Sequence, residues 1–132
     1  MALKITLKPH EKVIIGGAVL TNGPSACHLQ VENKVPLLRQ DSILTEEEAT
    51  TPCKRIYFVI QMIYISGGLT PELSQVYWDL VKEVVHAAPS TNGLISQISQ
   101  DIIAEKYYQA MKSARKLIHY EEELIRNVTE PA

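Results

Sequence analysis

The most constraining feature of the sequence is a change of hydrophobic period near Thr51. Before this residue, apolar and polar side chains alternate with a period of two, as in residues 3–8, which is typical of strands with one buried face. After it, apolar residues recur every three or four positions, as on one side of a helix. Strands followed by helices define an α+β protein. We therefore predict a small N-terminal antiparallel β-sheet followed by a C-terminal bundle of three to four helices.

Turn signals divide the first part of the chain into about five short strands. Gly16-Gly17 lies between two apolar runs and is the strongest hairpin signal in the sequence. A loop at residues 22–25 and a turn at 33–34 separate the later strands. Pro36 lacks a backbone donor, and so we expect the last strand to lie at an edge.

Two helices begin with the same signal. Thr51-Pro52 and Thr70-Pro71 each place a capping hydroxyl before a proline at the first helical position. We expect the first helix to end at Gly67-Gly68 and the second to end near Pro89. Beyond that proline, the apolar residues from 94 to 125 fit either one long helix or two.

Length and hydropathy indicate one cytoplasmic domain. The 132 residues are 45% hydrophobic, which is enough for one packed core. We predict a single domain over residues 1–132, with a β-rich part at 1–44 and a helical part at 51–127. The longest apolar run, residues 56–65, is far shorter than the ~20 residues of a membrane span, and no charged-then-apolar leader precedes it. We expect no membrane partner.

No pattern in the sequence points to catalysis. The chain has no nucleophile elbow, no metalloprotease motif and no glycine-rich phosphate loop. Its four histidines have no serine or cysteine nucleophile at a motif spacing. Cys27 and Cys53 stand alone, without the clustered ligands of a zinc site. We expect two unpaired thiols in a reducing compartment, and the alternative is a disulfide between them. We predict no enzyme, no catalytic residue, no metal and no cofactor.

The basic residues concentrate near the start of the chain. The net charge of −2 excludes a strongly basic nucleic-acid binder, yet residues 1–39 hold five bases and two acids. Lysines of the first strand lie opposite its apolar face, where they are suited to contact phosphates. The alternative is an ordinary solvated sheet face. The candidate binding residues are Lys4, Lys8, Lys34 and Arg39.

A helical stripe in the last third of the chain suits a second kind of contact. Ala110, Met111 and Ala114 share one face, and small residues beside a flexible methionine can accommodate a partner helix. The alternative is a seam against the other helices. The candidate protein-docking residues are Tyr108, Met111 and Arg115.

Three segments of the chain are similar to a known family. MALKITLKPHEKVIIGGAVLTNG, ENKVPLLRQDSILTEEEATTPCKRIYFVIQMIY and AEKYYQAMKSARKLIHYEEELI resemble the FlbT family of flagellin-synthesis regulators. The resemblance covers nearly the whole chain. It implies a post-transcriptional regulator, commonly a repressor, that acts on the 5′ untranslated region of flagellin messenger RNA and changes its stability or translation. It also implies the flagellar protein FlaF as a partner.

The chain departs from the family pattern at three places. Family members often carry glycine in place of His10, a basic pair in place of Pro24-Ser25, and alanine in place of Cys53. Two functions follow from the resemblance and the candidate residues. The first is binding of the flagellin mRNA leader. The alternative is a protein-binding adaptor or chaperone-like module for flagellin or FlaF that does not touch RNA. A homo-oligomer is compatible with both.

Overall fold

The computed structural model describes residues 2–129, which divide into two compact units. The first, here called the β-rich unit, holds the residues up to Ile43 together with Ile65–Gly67. The second, the helical unit, holds Leu44–Tyr64 and the chain from Gly68 onward. A single domain over residues 1–132 stays a prediction.

The described residues of the β-rich unit form five strands, as predicted, and these strands pair in two antiparallel sheets. A two-stranded ribbon joins the first and fourth strands, and a three-stranded sheet has the order β3-β2-β5. The strands are β1 (Leu3–Leu7), β2 (Lys12–Ile15), β3 (Ala18–Thr21), β4 (Cys27–Val31) and β5 (Leu37–Arg39). The one predicted sheet is therefore two, because β1 and β4 pair with each other and with none of the other three strands.

The turn signals have the predicted roles. Gly16 and Gly17 have φ angles of 57° and 88°, and both positive values are those of the tight hairpin turn between β2 and β3. β5, which follows Pro36, lies at an edge of its sheet. Central strand β2 is buried on both faces through Val13 and Ile14, whereas every residue of β3 is exposed.

Within residues 2–129 four helices follow, and this decides between the one long helix and the two helices that the sequence allowed beyond Pro89. They are α1 (Pro52–Ser66), α2 (Pro71–Ala87), α3 (Asn92–Ile103) and α4 (Tyr107–Thr129), with short 3₁₀ turns at Gln40–Ser42 and Pro89–Thr91. Thr51 and Thr70 cap α1 and α2 as predicted, since their hydroxyls accept the N–H groups of Lys54 and Leu73, both at 3.2 Å. The α+β class is confirmed.

The break between α3 and α4 is a helix C-cap with an unusual residue. The Lys106 N–H bonds the Asp101 carbonyl at 2.8 Å, and the Glu105 N–H bonds the Ile102 carbonyl at 3.0 Å. This pair of bonds requires a left-handed residue, which is usually glycine and here is Glu105, at φ 60°. Because no glycine marks the break, the sequence alone left one helix or two.

The core of the helical unit is built from apolar faces of all four helices. Ile56, Ile60 and Ile63 of α1 are fully buried, and Gln61 bonds both backbone groups of Leu44 at 2.8 Å. On α4 the predicted stripe is a core seam, since Ala110, Met111, Ala114 and Leu117 are all buried. No helix within residues 2–129 is long and apolar enough to cross a membrane.

His10 is held in a conformation that disfavours side chains. Its φ is 60°, and its N–H donates to the Gly23 carbonyl at 2.9 Å. A left-handed residue with a Cβ costs about 1–2 kcal/mol, and glycine avoids this cost. Glycine is therefore the residue that this backbone favours.

We expect His10→Gly to raise the free energy of unfolding by about 1 kcal/mol, since the relieved strain exceeds the added freedom of the unfolded chain. Urea denaturation followed by circular dichroism measures the change. His10→Ala is the matched control, because alanine keeps the strain. Equal stability of the two variants would contradict this account of the turn.

Candidate nucleic-acid interface

One side of the two-stranded ribbon presents four polar side chains to solvent. Lys4 lies opposite Gln30 and Thr6 lies opposite His28, and cross-strand partners in an antiparallel pair point to the same side. All four residues are exposed. The Thr6 hydroxyl and His28 Nδ1 are hydrogen-bonded at 2.9 Å. We call Lys4, Thr6, His28 and Gln30 the ribbon face.

A shallow groove of about 390 Å³ follows the ribbon face. The described residues that line it include no carboxylate, although Glu32 accepts a hydrogen bond from the Gln30 amide at 2.9 Å. Lysine ammonium groups bind phosphates, imidazole rings stack on unpaired bases, and hydroxyl and amide groups bond base edges. The ribbon face therefore has the chemistry to hold a single-stranded nucleic acid.

Beside the ribbon, Glu11 and Arg39 form a two-pronged ion pair that we call the clamp. Arg39 Nε donates to Glu11 Oε2 at 2.8 Å, and Nη2 donates to Oε1 at 2.9 Å. The same Nη2 donates to the Thr6 carbonyl of β1 at 2.7 Å. Glu11 also accepts the Lys8 N–H at 2.9 Å. The clamp thus ties β5 to β1 and to the turn that follows β1.

The clamp shifts the pKa values of both partners. Hydrogen bonds from Arg39, then the Lys8 N–H, hold the pKa of Glu11 at about 2, against the ordinary 4.5. The Glu11 carboxylate in turn raises the pKa of Arg39. Glu11 is only 8% exposed, whereas the Arg39 side chain is 36% exposed. The carboxylate is therefore the inner member of the pair, and Arg39 covers it.

The structure brings together only part of the predicted RNA-binding set. Lys4 lies on β1 and Lys8 follows its end, and both are exposed. Lys34 lies past the other end of the ribbon, because Val31 pairs with the first residue of β1. A strand of five residues spans roughly 17 Å, which separates Lys34 from Lys8. Arg39 lies near β1, but its guanidinium is bonded to Glu11.

Two members of the ribbon face, His28 and Gln30, were missed in the sequence. The alternation over residues 28–32 contained the signal, since Leu29 and Val31 occupy the apolar side and their neighbours occupy the polar side. Only the pairing of β4 with β1 shows that these polar residues lie beside Lys4 and Thr6.

The predicted docking residues lie in the helical unit, where two of them, Tyr108 and Arg115, are exposed and the third, Met111, is buried. The Tyr108 ring is 44% exposed, 5.9 Å from the Tyr64 ring and 5.1 Å from the Lys112 ammonium. Arg115 lies over the Tyr57 ring and donates to its hydroxyl at 3.2 Å. Both Tyr108 and Arg115 reach solvent.

The burial of Met111 corrects its assignment as a docking residue. Its side chain is 2% exposed and belongs to the buried seam of α4, between Ala110 and Ala114. A residue in that position stabilises the helical unit and has no surface for a partner. The docking hypothesis therefore rests on Tyr108 and Arg115.

The cysteines and acidic residues do not form a metal site in the part of the chain that the structure describes. Cys27 is half-buried and Cys53 is buried, and both are free thiols. Burial, followed by the nearby Glu121 carboxylate, raises the pKa of Cys53. Its thiol is therefore in the unreactive, protonated form at neutral pH.

Comparison with known proteins identifies the family of the chain. The family model described as "Flagellar protein FlbT" matches residues 3–125. The chain belongs to the FlbT family. No solved structure matches it.

Curated relatives align over nearly their whole length. One from Bradyrhizobium diazoefficiens, named probable flagellum biosynthesis repressor protein FlbT 1, is 44% identical over 94% of this chain and 85% of its own. Relatives from Rhodopseudomonas palustris and a Caulobacter species, both named probable flagellum biosynthesis repressor protein FlbT, are 38% and 34% identical. These two alignments cover 95% and 98% of this chain, and 98% and 100% of the relatives.

The clamp makes stability depend on acid pH. The folded pKa of Glu11, about 2, is below the ordinary 4.5, so the carboxylate stabilises the fold fully above pH 4.5 and loses this effect as the pH falls toward 2. We therefore expect the urea midpoint of the parent chain to fall toward that of Glu11→Gln as the pH is lowered from 4.5 toward 2. Circular dichroism from neutral pH down to about pH 3 measures both. A deficit of Glu11→Gln that stays constant would contradict the role of the carboxylate.

Proposed function

We propose that this chain is a post-transcriptional regulator of flagellin synthesis that binds the 5′ untranslated region of flagellin mRNA and changes its stability or translation. Membership of the FlbT family, whose curated relatives are named flagellum biosynthesis repressors, supports a regulatory role in flagellum biosynthesis. The ribbon face is the observation that supports RNA as the ligand. In this proposal the chain acts in the cytoplasm by binding alone, without catalysis and without a cofactor.

Local chemistry has to supply this binding, because the chain as a whole is acidic. A net charge of −2 gives no long-range attraction for phosphates. Lys4 supplies positive charge to a groove whose described lining has no carboxylate, and the exposed Lys8 adds a second charge past the end of the same strand. Thr6, His28 and Gln30 supply hydrogen bonds and a ring beside the groove. This arrangement suits unpaired nucleotides in a leader, whose base edges and faces are accessible.

Arg39 has a different role in this proposal from the direct base contact that the sequence suggested. Its guanidinium neutralises Glu11 and donates to the Thr6 carbonyl, so it positions the strand that carries the ribbon face. An Arg39→Ala variant would leave Glu11 without its partner and would report on folding together with RNA binding. Lys34 extends the basic surface past the other end of the ribbon.

The lysines provide the sharper test of RNA binding. We expect Lys4→Ala with Lys8→Ala to weaken binding of the flagellin leader and to lower the slope of log K against log salt by about 1.4, since each phosphate contact contributes about 0.7. Fluorescence anisotropy of labelled leader RNA and a scrambled RNA, over a range of potassium chloride, measures both quantities.

The matched control removes two exposed lysines of the helical unit, Lys82→Ala with Lys106→Ala, which changes the net charge equally. We expect this control to keep the parent slope. If both pairs of substitutions lower the slope equally, the ribbon face is not the RNA site.

A protein-binding adaptor for FlaF or flagellin is the second candidate function, and one surface favours it. Tyr108 is exposed beside Tyr64 and Lys112, and Arg115 lies on the same helix one turn further than Lys112. Tyrosine and arginine are enriched where protein interfaces hold most of their binding energy. This surface belongs to the helical unit, whereas the residues proposed to bind RNA belong to the β-rich unit.

We expect Tyr108→Ala with Arg115→Glu to weaken capture of FlaF or flagellin by at least about tenfold, since interface tyrosine and arginine residues often dominate affinity. Pull-down of each purified partner, followed by titration, measures the loss. Lys82→Glu, which changes a charge on α2, is the control. Unchanged capture by the double variant would remove this surface from consideration.

A further inference from the structure

We propose that a cleft in the helical unit binds an amphipathic helix of a partner protein, with a basic residue beside its apolar face. The cleft has a volume of about 590 Å³. Its apolar lining comes from the start of α1 and the ends of α2 and α4, and includes Cys53, Val84, Ala87, Leu124, Ile125 and Val128. Nothing in this inference depends on RNA binding.

The mouth of the cleft exposes large apolar side chains on α4. Val128 is 85% exposed and Ile125 is 50% exposed, and both line the cleft. They lie close to Leu124, so one turn of the helix carries a continuous apolar edge. An apolar groove lined by the ends of helices is the kind of surface that receives the apolar face of a partner helix.

The charges around the cleft select the partner. Glu83 and Glu121 are the ionisable side chains other than Cys53 in the described lining, which includes no lysine or arginine. Glu121 accepts the Cys53 N–H at 3.2 Å and the Thr51 hydroxyl, so its charge already serves the N-terminus of α1. Glu83 is exposed, and the last carbonyls of α2 add partial negative charge near Ala87. A lysine or arginine on the partner complements this side.

The same charges disfavour a second copy of this chain as the occupant. The end of α4 would have to enter the cleft with its apolar edge. It carries three carboxylates, Glu121, Glu122 and Glu123, on the preceding turn against one base, Arg126, within the edge. Placing these carboxylates against Glu83 brings like charges together at an interface, which is costly. A basic helix from another protein meets no such cost.

The cleft is distinct from the surface formed by Tyr108 and Arg115. Ile125 follows Arg115 by ten positions on α4, which is roughly 15 Å along the helix at 1.5 Å per residue. Substitutions at one surface therefore leave the other intact, and the two proposals can fail separately.

Two synthetic helical peptides test the proposal with the full chain. Each has about 14 residues and the same leucine face, flanked by lysine in one peptide and by glutamate in the other. Fluorescence anisotropy of the labelled peptides measures affinity. We expect the lysine peptide to bind one site, and the glutamate peptide to bind at least about tenfold more weakly.

Variants of the chain locate the site. Val128→Asp should weaken the lysine peptide about tenfold, and the exposure of Val128 leaves the fold unaffected. Glu83→Lys should weaken the lysine peptide and strengthen the glutamate peptide, a reversal that misfolding cannot produce. Tyr108→Ala is the control and should bind as the parent does.

Three results would overturn the inference. Equal binding of the two peptides would show an apolar surface without charge selection. Binding of neither peptide would show that no basic amphipathic helix fits. A parent chain that sediments as a dimer and becomes monomeric with Val128→Asp would show that a second copy covers the cleft.

Discussion

The ion pair between Glu11 and Arg39 is the interaction on which the β-rich unit depends. A two-stranded ribbon is marginal by itself, and the three-stranded sheet has a fully exposed edge strand. The clamp joins the two sheets through one guanidinium, which bonds Glu11 twice and the Thr6 carbonyl once. Because the carboxylate is almost fully buried, removal of the guanidinium would leave a charge with too little solvation. The position of β1, and with it the ribbon face, therefore follows from the clamp.

Local signals predicted most of the fold, and non-local pairing supplied what they missed. The change of period at Thr51, the two Thr-Pro starts and the Gly16-Gly17 turn each depend on residues close in sequence. Alternation shows which side of a strand is apolar but not which strand it pairs with. The pairing of β1 with β4 across the β2–β3 hairpin, and hence the division into two sheets, lay outside that information. The break at Glu105 was ambiguous for a local reason, since a glutamate occupies a position that usually shows glycine.

In the candidate site, too, the sequence predicts what depends on neighbouring residues and misses what depends on distant ones. Alternation alone placed Lys4 on the polar side of its strand, whereas the partner of Arg39 is 28 residues away and could not be read from charge counts. For Met111, helical spacing fits a buried seam and a docking stripe equally well, and only its burial distinguishes them. His28 and Gln30 belong to the site because the strand register places them opposite Thr6 and Lys4.

An acidic chain that binds RNA needs its attraction to be local. At a net charge of −2, the field of the whole protein does not draw phosphates in, so affinity has to come from contacts made within a few ångströms of the ribbon face. In that arrangement the lysines would bind phosphates of any sequence, whereas Thr6, His28 and Gln30 would have to supply the sequence preference through the bases. The apolar cleft of the helical unit, with Glu83 and Glu121 in its lining, is proposed to select the opposite charge, a basic helix. Since the ribbon face and the cleft belong to different units and share no residues, we expect substitutions in one to add to those in the other rather than to couple.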